Sequence, residues 1–172
     1  MSLREQARLL GMSPSSLSEL ENARSGISLR RLQQVADHFG LHVTDLLADE
    51  DSPDEVERTA QCEVIRSAAA APGVTRGQGV HYQLLGTGHG HALQAVVLSF
   101  EPGGGYADDK IAHPGEEFCY VVYGCVELLL GEDVHTLAQG DAARFRAEIP
   151  HALRNSSSDG MAVVIGAATP PW

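Results

Sequence analysis

The spacing of apolar residues changes character once along the chain. Up to about residue 48 it is helical: Leu29, Leu32, Val35, Ala36 and Phe39 fall on one stripe, with Ser28 as N-cap and Gly40 as stop signal, which predicts a helix. Upstream, residues 3–10 predict a short helix, Gly11 supplies the left-handed conformation of a tight turn, and Ser13-Pro14 opens a second helix with a cap and a proline at its first position. Leu17 and Leu20 are then placed to pack on Ala7 and Leu10, leaving Ser15, Ser16, Ser18, Glu19 and Asn22 facing outward or sideways. Beyond about residue 76 the period falls to two, most clearly in Phe118–Val122 and Val126–Leu130, with turn signals at Gly103–Gly105, Gly131–Asp133, Gly140–Asp141 and Ser156–Gly160. Short strands with no helix between them predict an antiparallel sandwich or barrel. Phe118 and Tyr120 alternate away from Glu117 and are expected to pack against the other sheet.

Composition divides the chain at the same place. Residues 1–31 hold five arginines and three glutamates, whereas residues 37–63 hold nine acids and Arg58 alone among bases. The stretch Asp49–Glu55 is too charged to bury, and Ala68–Gly73 closes it with small residues and a proline, so residues 49–75 are expected to be an acidic linker between an N-terminal unit (1–48) and a C-terminal unit (76–172). A hydrophobic content of 43% in 172 residues supports packed cores. The net charge of -11, with Lys110 the sole lysine, excludes a uniformly basic nucleic-acid coat but not a local basic face. No apolar run is long enough to cross a bilayer and the first residues carry no apolar leader, so a cytoplasmic protein with no membrane partner is expected. Cys62, Cys119 and Cys125 show no CxxC spacing and are expected to be reduced thiols.

Helix, glycine turn, helix is the geometry that places the second helix in a major groove. The stretch Leu3–Leu47 resembles the XRE (Cro/C1-type) helix-turn-helix family, through Ala7 and Gly11 in the turn unit, Ser13 and Leu17 opening the recognition helix, Glu21-Asn22 closing it, and the SLRRLQQVADHFG helix. The resemblance implies that Ser15, Ser16 and Glu19 look at base edges and Arg24 lies near the phosphate backbone. Ser13, Ser18 and Asn22 complete the candidate DNA-binding set. Family members carry one more helix before this unit, and Gln6 stands where a core leucine is usual, so either the start lies upstream or the lambda-repressor-like domain lacks its first helix and binds DNA more weakly. Duplex DNA is the expected partner, read by a homodimer.

The second half carries Gly105, five residues, Ile111-Ala112-His113, three residues, Glu117, six residues and Gly124, which resembles the first motif of the cupin family with Ile111 at the position of its first histidine. Gly140, His151 and Asn155 match the second motif, while Arg146 and Glu148 stand where proline and glycine are usual. The segments HPGEEFCYVVYG, GDAARF, IPHALRN and TPPW resemble the cupin half of XRE-cupin regulators. The implied fold is multidomain α + β: a helix-turn-helix followed by an antiparallel jelly-roll barrel. His113, Glu117 and His151 can converge inside such a barrel, and two imidazoles with a carboxylate suit a divalent transition ion such as Fe, Zn, Mn or Ni. The alternative is a metal-free pocket in which the histidines bond Glu117 and an organic effector binds. Ile111, Cys119 and Asn155 are the further pocket candidates. Arg144, Arg146 and Arg154 are expected near the barrel mouth, either solvated or facing inward toward an anionic effector, and His89-Gly90-His91 decorates a surface turn.

Three functions remain. The first is a DNA-binding transcriptional regulator whose cupin barrel is the sensor domain for a small molecule or metal. The second is a mononuclear non-haem iron enzyme, since the pattern is also similar to the epoxidase that acts on hydroxypropylphosphonate. The third is a cupin binding module without DNA. The regulator is favoured over the enzyme because, besides Tyr82, no polar residue committed to substrate stands out.

Overall fold

A computed structural model describes residues 2–21, 34–36, 38–41, 46, 56–59, 62–65, 73–76, 79–86, 91–106 and 109–171. At the N-terminus, α1 (Leu3–Leu9) begins with a capping box: the Ser2 hydroxyl accepts from the Glu5 amide while the Glu5 carboxylate accepts from the Ser2 amide. Gly11, at φ +61°, turns the chain into α2 (Pro14–Glu21). Ala7, Leu10, Leu17 and Val35 form a small buried cluster, the packing that their helical spacing predicts. Leu20 has no described side chain, and Leu29 and Leu32 lie outside the described residues. Phe39 departs from the expected stripe: it is 57% exposed, edge-on to His38.

The C-terminal half is a β-sandwich. Its larger sheet runs in the order β3 (Gly73–Arg76), β4 (Val80–Leu84), β5 (Gln94–Phe100), β11 (Ala162–Thr169), β6 (Glu116–Tyr123), β9 (Ala142–Arg146), and its smaller sheet runs β10 (His151–Arg154), β7 (Cys125–Leu130), β8 (Asp133–Ala138). All these pairings are antiparallel. Strict alternation on β5 and β11 turns Val96, Leu98, Phe100 and Ala162, Val164, Ala168 into the core, where they meet Val126 and Leu128 of the smaller sheet. Isolated bridges Gly105↔Arg154 and Ile111↔His151 stitch the loop before β6 to β10, which brings the first motif beside the second.

Residues 49–75 are not all linker. Val56–Thr59 (β1) and Cys62–Ile65 (β2) pair as a hairpin, and β3 belongs to the larger sheet through its ladder with β4. The acids predicted a solvated segment; the ladder sets Val56 opposite Ile65 and Thr59 opposite Cys62, residue types that suit strands, and the charged pair Arg58 and Glu63 lies between them. Phe118 and Tyr120 also correct the expectation. They share a face, as alternation requires, but it is the outer face, where they are 41% and 40% exposed.

Candidate functional site

Three donor groups meet at one end of the sandwich. His113 comes from the loop before β6, Glu117 from the inward face of β6, and His151 from the first residue of β10. Both histidines are buried, and the ligand atoms of all three residues lie within 4.8 Å of one another. His113 Nε2 is 2.7 Å from Glu117 Oε1, and His151 Nε2 is 3.4 Å from the same oxygen, an electrostatic contact without hydrogen-bond geometry. Each ring's other nitrogen faces a backbone carbonyl: His113 Nδ1 is 3.2 Å from Pro114 O and His151 Nδ1 is 2.8 Å from Ile149 O.

A carbonyl oxygen only accepts, so each Nδ1 carries the hydrogen. In a neutral ring this leaves the Nε2 lone pair aimed at the Glu117 oxygen, which is comfortable only with a cation in between. That cation is a proton on the ring or a metal ion. The orphaned His151 Nε2, buried with no hydrogen bond, together with two Nδ1–H groups anchored on carbonyls, is the donor chemistry and outer-shell support of a divalent transition ion. Ile111 lines the cavity beside this cluster and offers no donor.

Burial alone would raise the Glu117 pKa, but the His113 hydrogen bond and the two histidine charges outweigh it and hold the carboxyl at about 2. His151 moves the other way. Its burial favours the neutral ring, yet Glu117 and the Ile149 carbonyl raise its pKa above 6.5. A depressed acid contributes stability above its unfolded pKa and loses it as pH falls, while a raised base contributes below its unfolded pKa and loses it as pH rises. In chelator-treated protein the stability difference between wild type and Glu117→Gln is therefore expected to peak between about pH 4.5 and 6.5 and to shrink on both sides, as thermal unfolding across pH reads directly.

The cluster opens on a cavity of about 60 Å³, several times the ~10–15 Å³ that one water requires. Ile111 and Cys119 line it, with Tyr82, Gln94, Tyr106, Asp109 and Phe145. The Cys119 thiol is 3% exposed and burial pushes its pKa to about 11, so it shapes the wall and is no nucleophile at neutral pH. Asn155 is not a lining residue. Its amide donates to the Glu101 and Gly160 carbonyls and its oxygen accepts from the Ser157 amide, so it pins the loop after β10. Nor do these arginines enter: Arg144 and Arg146 are exposed, Arg146 reaches Glu148, and Arg154 pairs with Glu127.

Asp109 is the residue that pattern reading missed. Its Oδ2 is buried without a hydrogen-bond partner, and it faces the cavity from a loop whose sequence, an acid beside Lys110 after a glycine turn, has the look of a solvated bend.

On α2, Ser15 is exposed and within 2.9 Å of the Ser13 hydroxyl, and Ser18 is half-buried. Ser16 and Glu19 are on the helix with side chains outside the description, and Asn22 and Arg24 lie outside the described residues, as does His89; His91 is exposed.

Comparison with known proteins agrees with this division. A helix-turn-helix family model matches residues 1–46 and a cupin domain model matches residues 96–166. Over 172 residues, 99% of this chain and 88% of the relative, the chain is 27% identical to the HTH-type transcriptional regulator PuuR of Escherichia coli. Among solved structures, a helix-turn-helix family transcriptional regulator from Vibrio cholerae superposes with a TM-score of 0.65 at 17% identity, covering 100% of this chain and 88% of that one. Apo-HppE superposes with a TM-score of 0.51 at 21% identity, covering 98% and 90%. Both share the fold. The chain belongs to the XRE-type helix-turn-helix regulators that carry a C-terminal cupin domain.

Proposed function

We propose that this protein is a transcriptional regulator that binds duplex DNA through α2 and responds to a small molecule held in the cupin cavity. The observation that carries the reading is the union, in one chain, of a helix-turn-helix unit with a partly open cavity, over an organisation shared with PuuR along nearly its whole length. The effector class follows from the lining. Among the described lining residues the ionisable groups of fixed sign are the carboxylates of Asp109 and Glu117, with no lysine or arginine, and most of the rest is apolar. A buried, unpartnered carboxylate oxygen is costly until something donates to it. The ligand that fits is a small cation with an apolar body, such as an alkylammonium ion. The expected result is that n-butylammonium raises the thermal midpoint of the protein, that butyrate does not, and that Asp109→Asn removes the response. Equal shifts with both compounds would contradict it.

A second reading, a metal-dependent barrel, is favoured by the His113, Glu117 and His151 cluster. When bound there, a divalent ion would supply Lewis acidity and coordination positions open to the cavity. In either reading the chain is expected to act as a homodimer in the cytoplasm, because half-site recognition needs two copies.

A further inference from the structure

On the inward face of the larger sheet one cross-strand row breaks the apolar pattern. The register sets Gln94 of β5 opposite Ala168 of β11, Ala168 opposite Glu117 of β6, and Glu117 opposite Phe145 of β9. The rest of the inward face of β5 is Val96, Leu98 and Phe100, so Gln94, 3% exposed, is an amide at the end of an otherwise apolar strand face. Burying an amide costs free energy unless polar groups answer it. Gln94 lines the cavity, and so do Gly166 and Ala168, which lie between it and the β6 residues Glu117 and Cys119. Two small residues on the middle strand leave the space above β11 open. The two polar side chains of the row stand on strands two spacings apart, about 10 Å from backbone to backbone.

The polar groups of the cavity differ in what they offer a ligand. Glu117 is engaged by both histidine rings, at 2.7 and 3.4 Å, so its charge is answered inside that cluster whether a proton or a metal ion lies between. Asp109 is the carboxylate left over, with a buried oxygen that has no hydrogen-bond partner. The Gln94 amide is neutral and offers two donors and two acceptor lone pairs, more than one neighbouring group can use. We infer that Gln94 is the specificity-determining residue of the cavity, and that the ligand is an alkylammonium ion carrying a neutral hydrogen-bonding group, a hydroxyl or an amide, at the end away from its nitrogen. The inference rests on the cation reading above and adds the second polar end. The ammonium pairs with Asp109, the apolar middle crosses Gly166 and Ala168, and the far group meets Gln94. A methyl in place of that group leaves the amide unanswered, and a site built to bond a hydroxyl discriminates against the analogue that lacks it. A second ammonium would bring a buried charge against a neutral partner.

The test is calorimetric titration of the full chain with probes of matched length: 4-hydroxybutylammonium, n-pentylammonium and butane-1,4-diammonium. Wild type is expected to bind the hydroxy compound about tenfold more tightly than either of the others. Gln94→Met, close in size but without the amide, is expected to bring the hydroxy and pentyl compounds to within about twofold of each other. Gln94→Glu serves as an independent second variant and is expected to turn the preference toward the diammonium. Equal binding of the hydroxy and pentyl compounds by wild type overturns the inference and leaves the cation reading standing. Tighter binding of the diammonium by wild type also overturns it, because Glu117 would then serve as a second anion. So does a hydroxyl preference that survives Gln94→Met. No binding of any of these ions by wild type overturns the cation reading and this inference together.

Discussion

Gly124→Ala is expected to destabilise the barrel by at least about 3 kcal/mol, lowering the thermal midpoint by more than about 10 °C. Gly124 sits at φ +78°, and a Cβ there would lie 2.4 Å from the Met161 carbonyl oxygen and 2.9 Å from Ala162 Cα. Both obstacles are backbone of β11 and its lead-in, so no side chain can rotate aside, and relief requires prising β11 from the turn that joins β6 to β7. Gly140→Ala is the control. Its φ of +90° carries comparable conformational strain, yet a Cβ there meets nothing within 4 Å, so a loss of only about 1–2 kcal/mol is expected. Equal losses in the two variants would contradict the close-approach account.

Glu117→Ala is expected to have the largest effect on the site. In the metal-bearing reading, chelator-stripped protein takes up about one Zn(II) or Fe(II) per chain, and the variant binds it at least ~100-fold more weakly, because both histidine Nε2 atoms converge on the oxygen that is lost. Competition against a chromophoric chelator measures the affinity. Glu117→Gln keeps the shape and loses the charge, and it should be nearly as defective. Undiminished metal uptake by either variant would move the ion elsewhere; no uptake by wild type would leave the histidine–carboxylate cluster as a polar wall of the effector cavity.

Much of this was legible in the sequence, for reasons that also mark where legibility stops. Helical spacing identified Ala7, Leu10 and Leu17 as one buried cluster because neighbours on a helix face are set by local geometry alone. The convergence of His113, Glu117 and His151 followed from motif spacing, and the structure supplies the distances. Alternation placed Phe118 and Tyr120 on one face but could not say which face looks inward, since period two fixes partners and not sides. Asn155 matched a motif position but bonds backbone groups contributed by residues 100, 101, 157 and 160, a role that exists only after the strands have assembled. Asp109 gave no signal, because its burial is created by distant strands closing over a loop that is polar in sequence. The acids of Asp49–Glu55 suggested chain too charged to bury and hence a linker, but the hairpin of Val56–Thr59 with Cys62–Ile65 forms directly after them, because strand pairing satisfies backbone groups whatever the charge nearby.

The central claim, that this chain reads DNA under control of its barrel, is tested most directly by fluorescence anisotropy. The full-length protein is titrated against labelled DNA from upstream of its own gene and against the same bases scrambled, at two salt concentrations, with and without n-butylammonium. The account predicts tighter binding to the native sequence, weakening with salt as phosphate contacts require, removed by Ser15→Glu and shifted severalfold by the ammonium ion. Equal affinity for native and scrambled DNA, or none for either at low salt, would contradict it.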